Sequence, residues 1–327
     1  MIEDHESNEK RNLRERIDMK AVRIHQYGGP EVLFLEEIQR PTPSPNELLI
    51  KVHAASVNPA DWKIREGYLK QMLPLAMPVT IGWDVSGTVE ATGPGVTQFK
   101  RGDEVYARLD LIKGGAYAEY TLVNESEVAL KPKSVDHIHA AGIPIAGKTA
   151  WQALFDTANL RAGQTVLIHA AAGGVGVFAV QFAKARGARV IGTASGKNQA
   201  FLRELGVDKA VDYEKTRFED VVRDVDVVLD TIGGEVQERS WKVLKKGGLL
   251  VSLVGPPSAE QAAKYGVRAA MFQMHPGSAD LVEIAKRVDL GRVKTVVDTV
   301  LPLTEARRAQ ELSAHGHARG KIVLKVA

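Results

Sequence analysis

The chain has no cysteine among its 327 residues. That excludes disulfides, a cysteine nucleophile, thiolate-bound zinc and iron–sulfur clusters held by thiolates. It has no apolar run approaching the ~20 residues that span a bilayer, so no membrane segment is expected. It also lacks a pronounced charge of either sign: 43 Lys and Arg against 40 Asp and Glu leave a formal net charge of +3. The basic residues form no stripe, so a nucleic-acid partner is not expected. The segment 1–18, MIEDHESNEKRNLRERID, is dense in charge of both signs and has no apolar h-region, so it is no signal peptide. It reads as a solvated, partly disordered extension, and the cytoplasm is the expected location.

What is there is ordinary globular sequence, 44% hydrophobic and 25% charged. At ~150 residues per domain its length suggests about two domains. From Met19 to about Gly142, short β-type runs alternate with Gly and Pro. Glu47–His53, Val85–Ala91, Glu104–Ala107 and Ala116–Val123 are examples, and they suggest a compact β-barrel or sandwich. From Ile143 the rhythm becomes helix and strand by turns. Strands are expected at Thr165–His169, Arg189–Thr193, Lys209–Asp212, Asp226–Leu229, Gly248–Val254 and Val267–Gln273. Helices are expected at Thr149–Asn159, Val175–Arg186, Asn198–Leu205, Glu235–Leu244 and Ser278–Val288. This is the pattern of a doubly wound parallel sheet in an α/β protein. After Gly291 the chain reads as short β-like pieces, ending in Lys321–Val326.

The run from Thr165 to Ala183 is a buried strand, a tight Gly turn and an amphipathic helix. The dinucleotide fingerprint G-x-G-x-x-G maps onto Ala171, Gly173 and Gly176, with Ala in the first place. Gly173 would let backbone approach a pyrophosphate, and Gly176 would let the helix pack on the strand. Ala172, Gly173, Gly174, Val175 and Gly176 thus form the expected cradle, with the anion on the helix N-terminus. An NAD site usually places an acid ~20 positions on, for the ribose 2′-hydroxyl. Here no Asp or Glu occurs between Asp156 and Glu204, and the second strand runs into Ser195 and Lys197. A hydroxyl and an ammonium suit a 2′-phosphate, so NADPH is expected over NADH.

The chain resembles the zinc-independent quinone oxidoreductase and enone (alkenal) reductase branch of the medium-chain dehydrogenase/reductase superfamily. The resemblance runs from Met19 to Ala327 through seven segments: Ser56–Asp61, Ile81–Gly87, Gly102–Val105, Gly114–Glu119, Ala170–Gly176, Asp230–Gly234 and Gly316–Leu324. It implies a GroES-like β-barrel catalytic domain at 19–143 and 294–327, with a Rossmann-type NADP-binding domain at 144–293 inserted between. It adds Tyr213, Arg319 and Lys321 to the cofactor site and puts Thr149, Val254 and Gly255 around the nicotinamide. It also implies a homodimer, through the edge of the Val267–Gln273 strand.

Zinc members of that superfamily bind catalytic zinc through a Cys, a Gly-His-Glu and a second Cys. Here Asn58 stands at the first Cys, Trp83-Asp84 follows Gly82, and the structural-zinc lobe shrinks to Arg108–Lys113. No metal site is expected, and His137/His139 and His315/His317 are no credible substitute. Hydride would pass from NADPH to a small electrophilic acceptor, an α,β-unsaturated carbonyl or a quinone. The protein's part is positioning, and hydrogen bonds to the developing charge. By resemblance Asn58 and Lys63 face the nicotinamide, with Tyr68 a proton donor or pocket wall. Asp61 is expected to cap the next helix and Trp83 to pack beneath the site. The alternative is an NADPH-binding sensor or crystallin-like protein with little turnover.

Overall fold

The computed structural model describes residues 18–327. The extension read at 1–18 lies outside them except for Asp18, which opens the first strand. The strands in chain order are β1 (Asp18–Ile24), β2 (Phe34–Gln39), β3 (Glu47–Val57), β4 (Val79–Thr80), β5 (Asp84–Thr92), β6 (Glu104–Arg108), β7 (Tyr120–Asn124) and β8 (Val128–Leu130). They continue as β9 (Thr165–Ile168), β10 (Arg189–Ala194), β11 (Lys209–Asp212), β12 (Val225–Asp230), β13 (Leu244–Ser252), β14 (Arg268–Met271), β15 (Val297–Pro302) and β16 (Lys321–Lys325).

Two larger sheets divide these strands. A seven-stranded sheet runs β15-β16-β3-β5-β6-β8, with β7 also paired to β3. Its 11-residue strand β3 is the hub, pairing antiparallel with β5, β7 and β16. The C-terminal β15 and β16 therefore return to the sheet built by the N-terminal half. The short sheet β2-β1-β4 packs beside it around Ala21 and Ala118. The second sheet is parallel throughout, with order β11-β10-β9-β12-β13-β14. This is the doubly wound order that reverses between its first and fourth strands, here β9 and β12. Ligands of such sheets bind beyond the carboxyl ends of the strands at that reversal.

Burial explains the division. Strands β9 and β12 are apolar on both faces, as a sheet covered by helices requires. One face packs on Phe178 and Phe182 of the helix Gly174–Ala185, the other on Phe218 and Trp241. The barrel core gathers around Trp83, Ile50, Val85 and Tyr117. No helix among the described residues is long and apolar enough to cross a membrane.

Several element boundaries differ from the sequence reading. The helix expected at Thr149–Asn159 begins at Pro144 and gives way after Gln152 to a π-turn, Ala153–Thr157. Proline suits a first helical position, where its missing N–H costs nothing. The helix expected to reach Leu244 ends at Ser240, and Leu244 instead opens β13. A ten-residue helix, Ala306–His315, stands between β15 and β16 where only β-like pieces were expected. The strand read as Val267–Gln273 is Arg268–Met271, the outer strand of the parallel sheet.

Candidate active site

The glycine turn lies at the end of β9, beside the sheet's reversal. Ala170 carries φ +46°, an unusual conformation for a residue with a Cβ. Hydrogen bonds hold it there. Its amide meets Thr193 Oγ1 at 3.3 Å, the Ala171 amide donates to Thr193 O (2.9 Å), and the Gly173 amide donates back to Ala170 O (2.9 Å). A Cβ on Gly176 would stand 2.3 Å from Ala170 O and 2.7 Å from Ala171 Cα, so only glycine fits. The turn is buttressed by the C-terminal segment, where the Gly320 amide donates to Ala172 O at 2.9 Å. Gly173 caps the 12-residue helix Gly174–Ala185. The amides of Gly174, Val175 and Gly176 open that helix without a partner among the described residues. Unpaired amides at the positive end of a helix dipole fit a pyrophosphate.

The neighbouring strand β10 runs into Ser195, which is buried and accepts from Asn198 Nδ2 at 3.2 Å. Lys197 is exposed and forms no ion pair among the described residues. It lines a cleft of about 390 Å³ with Phe201, His317 and Arg319. The Arg319 guanidinium lies over the Phe201 ring at 5.1 Å and donates through Nε to Asn198 Oδ1 at 2.9 Å. The fold thus joins Ser195 and Lys197 to Arg319, from the far end of the chain. Tyr213 is half exposed just beyond β11, its amide on Ala194 O at 3.3 Å. Sequence reading missed the two acids flanking Tyr213. Glu214 Oε2 accepts from the Gly196 amide at 2.8 Å, and Asp212 Oδ2 would stand 3.0 Å from a Cβ on Gly196. The absence of an acid along β10 is real, but the adjacent strand supplies them.

Ser56, Asn58, Asp61, Asp84 and Lys321 form a buried polar cluster. Asn58 caps the helix Pro59–Arg65, and Asp61 Oδ2 accepts from the Asn58 amide at 3.0 Å. Asp61 thus stabilises the helix start from its third position, as a capping box does. The Asn58 side chain is engaged at both ends. Its Nδ2 donates to Asp84 Oδ2 at 2.9 Å, and its Oδ1 accepts from Lys321 Nζ at 2.5 Å. Asp84 also accepts from Ser56 Oγ (2.7 Å) and from the Ile145 amide (2.8 Å). Lys321 Nζ stands 3.7 Å from Asp84 Oδ2.

Burial dominates the electrostatics of this cluster. It raises the Asp84 carboxyl above its usual range against the pull of Lys321, and it lowers the Lys321 ammonium. Asp61 is pushed up to about 7 by burial, against hydrogen bonds from Tyr117 Oη (2.6 Å) and the Asn58 amide. Its Oδ1 has no partner among the described residues. Tyr117 is held well above its ordinary value by burial and by Asp61. Trp83 is wholly buried beneath, its Nε1 donating to Leu111 O at 3.1 Å.

The remaining expected site residues are placed as follows. The Asn58 amide is not free to meet an acceptor, because Asp84 and Lys321 use both of its ends. The Lys321 ammonium donates inside the cluster, and its side chain lies against Gly174. Tyr68 is 71% exposed and meets Trp62 edge-on at 6.1 Å, so it is a surface aromatic in this arrangement. Lys63 is half-buried, its Nζ 5.5 Å from the Trp62 ring centroid. Thr149 is buried without a side-chain hydrogen bond, beside Lys148, whose ammonium donates to Gly277 O. Val254 and Gly255 lie on the exposed loop after β13, with Val254 against Gly233. Among the described residues no group of three His, Cys, Asp or Glu could hold a metal. His137 and His139 are instead bonded to Ser86 and Asp136.

A doubly wound sheet with a glycine cradle, inserted into a barrel, defines a dinucleotide-dependent enzyme class. The alcohol dehydrogenase GroES-like domain family matches residues 44–133, and the zinc-binding dehydrogenase family matches residues 205–324. The NADPH-dependent alkenal/one oxidoreductase of Arabidopsis thaliana, named as chloroplastic, is 39% identical over 94% of this chain and 79% of that protein. The quinone oxidoreductase of Coxiella burnetii superposes with a TM-score of 0.89 at 36% identity, covering 95% of this chain and 100% of that one. The Escherichia coli quinone oxidoreductase complexed with NADPH has a TM-score of 0.85 at 27% identity, covering 94% and 99%. The chain belongs to the medium-chain dehydrogenase/reductase superfamily and is an NAD(P)H-dependent oxidoreductase.

Proposed function

We propose that this enzyme reduces α,β-unsaturated carbonyls or quinones with NADPH and without a metal. The observation that carries the reading is that the open helix amides at Gly174–Gly176 and a cleft lined by Lys197 and Arg319 are tied together by the hydrogen bond from the Gly320 amide to Ala172 O. The first suits a pyrophosphate and the second a 2′-phosphate, so one surface matches both anionic ends of NADPH. Bound NADPH supplies the hydride; the chain supplies position and charge.

By resemblance Asn58 and Trp83 stand where zinc relatives carry the first Cys and the His, and Asn58 and the adjacent Asp84 are each bonded within the cluster. The cluster is a rigid floor rather than a Lewis acid. Its one cation, Lys321, is held by Asn58 and Asp84. Hydrogen bonds to the developing oxyanion then come from backbone, from Lys63 or from solvent. A reaction that ends on a stabilised oxyanion tolerates this, since water can deliver the last proton.

Replacing Lys197 by Ala should raise the KM for NADPH about tenfold to fiftyfold while moving that for NADH less than about twofold, as expected for loss of a charge-assisted bond. Equal shifts in both would remove Lys197 from the 2′-phosphate site. An acceptor panel of enones, alkenals and quinones, ranked by kcat/KM, identifies the substrate class. Tight NADPH binding without turnover on any of them would overturn the reading.

A further inference from the structure

We propose that Glu214 is a specificity-determining residue that weakens the enzyme's preference for the phosphorylated dinucleotide. The proposal rests on the 2′-phosphate reading of Ser195 and Lys197 and deepens it. Glu214 Oε2 accepts from the amide of Gly196, the residue between those two, at 2.8 Å. Asp212 stands on the other flank, and a Cβ on Gly196 would lie 3.0 Å from Asp212 Oδ2 and 3.4 Å from Glu214 Oε2. Asp212 has a turn to hold, since its Oδ1 accepts from the Glu214 amide at 3.1 Å. The Glu214 carboxylate makes no bond within its own turn among the described residues. Glu214 is exposed, and among the described residues its carboxylate accepts only from the Gly196 amide and forms no ion pair with Lys197.

The carboxylate therefore uses a donor within the anion-holding turn, and leaves the cation there unneutralised. A 2′-phosphate brings about −1.5 to −2 charges to the same turn. It must displace the carboxylate or sit beside it, and like charges a few ångströms apart disfavour either outcome. A dinucleotide ending in a 2′-hydroxyl meets no such opposition. The acid thus allows NADH to compete at a site otherwise built for NADPH.

Glu214→Gln tests this in the full-length enzyme. Gln can still accept from the Gly196 amide, so the turn is kept and only the charge is lost. The expected result is a KM and Kd for NADPH lowered about fivefold to tenfold, with NADH changed less than about twofold. The gain should shrink at 0.5 M salt, where screening falls within ~4–5 Å. Unchanged constants for both cofactors would overturn the proposal. So would weaker NADH binding with NADPH unchanged, since the acid would then be a ribose ligand. Lys197→Ala, measured in parallel, separates the two readings. If it weakens both cofactors alike, the 2′-phosphate site and this proposal fall together. If it weakens NADPH alone while Glu214→Gln moves neither, only the role given to Glu214 falls.

Discussion

Asp61 is a carboxylic acid placed where its charge is poorly served. It accepts from Tyr117 and the Asn58 amide on one oxygen, while its other oxygen has no partner among the described residues. Burial raises it from 3.8 to about 7, so in the folded protein it holds a proton that the unfolded chain has released. Between those values the folded state binds more protons, so stability from this group grows as pH falls from about 7 towards 3.8. It is lost as pH rises through 7. Asp61→Asn copies the protonated shape and cannot ionise. The variant should be close to the parent near pH 4 and more stable at pH 8.5, by on the order of 2–4 kcal/mol at most. Thermal midpoints at the two pH values check this. An equal difference at both would mean that Asp61 does not titrate in this range. His169 acts in the opposite sense. Burial lowers it to about 4, so its contribution is lost as pH falls from 6.5 towards 4. Its ring nitrogens meet Thr193 and Ser240, neither of which carries a charge.

Among the elements, the strand–turn–helix of β9 and Gly174–Ala185 makes the sharpest statement. Gly176 and Gly173 belong to one fingerprint but tolerate a methyl group differently. A Cβ on Gly176 meets backbone at 2.3 Å and 2.7 Å, whereas one on Gly173 meets only Ala170 O at 3.3 Å. Gly176→Ala should cost about 1–3 kcal/mol through overpacking, and should also weaken NADPH by moving the turn. Gly173→Ala should cost clearly less stability. Urea unfolding with NADPH titration of both variants tests the order, and a reversed order would refute the packing argument. This unit was legible in sequence because hydrophobic period and glycine spacing change together at Ala170. The helix Ala306–His315 was not legible, because it buries only Ala306, Ala309 and Gln310, a face too thin to show an apolar period. The acids at Asp212 and Glu214 escaped for another reason. The usual spacing puts such an acid at the end of β10, whereas the parallel pairing of β10 with β11 brings the next strand's end to the same place.

In the whole molecule, the site is also the joint between the sheets. Asp84 begins β5 of the barrel sheet and accepts from the amide of Ile145, at the start of the helix Pro144–Gln152. Lys321 begins β16, lies against Gly174 and reaches Asn58 across 263 positions of sequence. Tyr106 of β6 adds a hydrogen bond to Leu281 O at 2.6 Å. Sequence located Asn58, Asp84 and Lys321 separately, but no local pattern ties residues so far apart; only the return of β16 to β3 does. Removing one partner of a buried ion pair leaves the other charge without compensation and costs about 3–5 kcal/mol, while removing both costs less than the sum. Asp84→Asn and Lys321→Met should therefore each destabilise strongly, and the double variant should recover at least about 1 kcal/mol relative to additivity. If the pair also fixes the floor of the cofactor site, each single variant should raise the KM for NADPH and NADH alike, since neither charge addresses the 2′-phosphate. Strict additivity in unfolding free energy would show that Asn58, rather than direct attraction, holds the two charges together. A selective loss of NADPH in Lys321→Met would return its ammonium to the cofactor's phosphate.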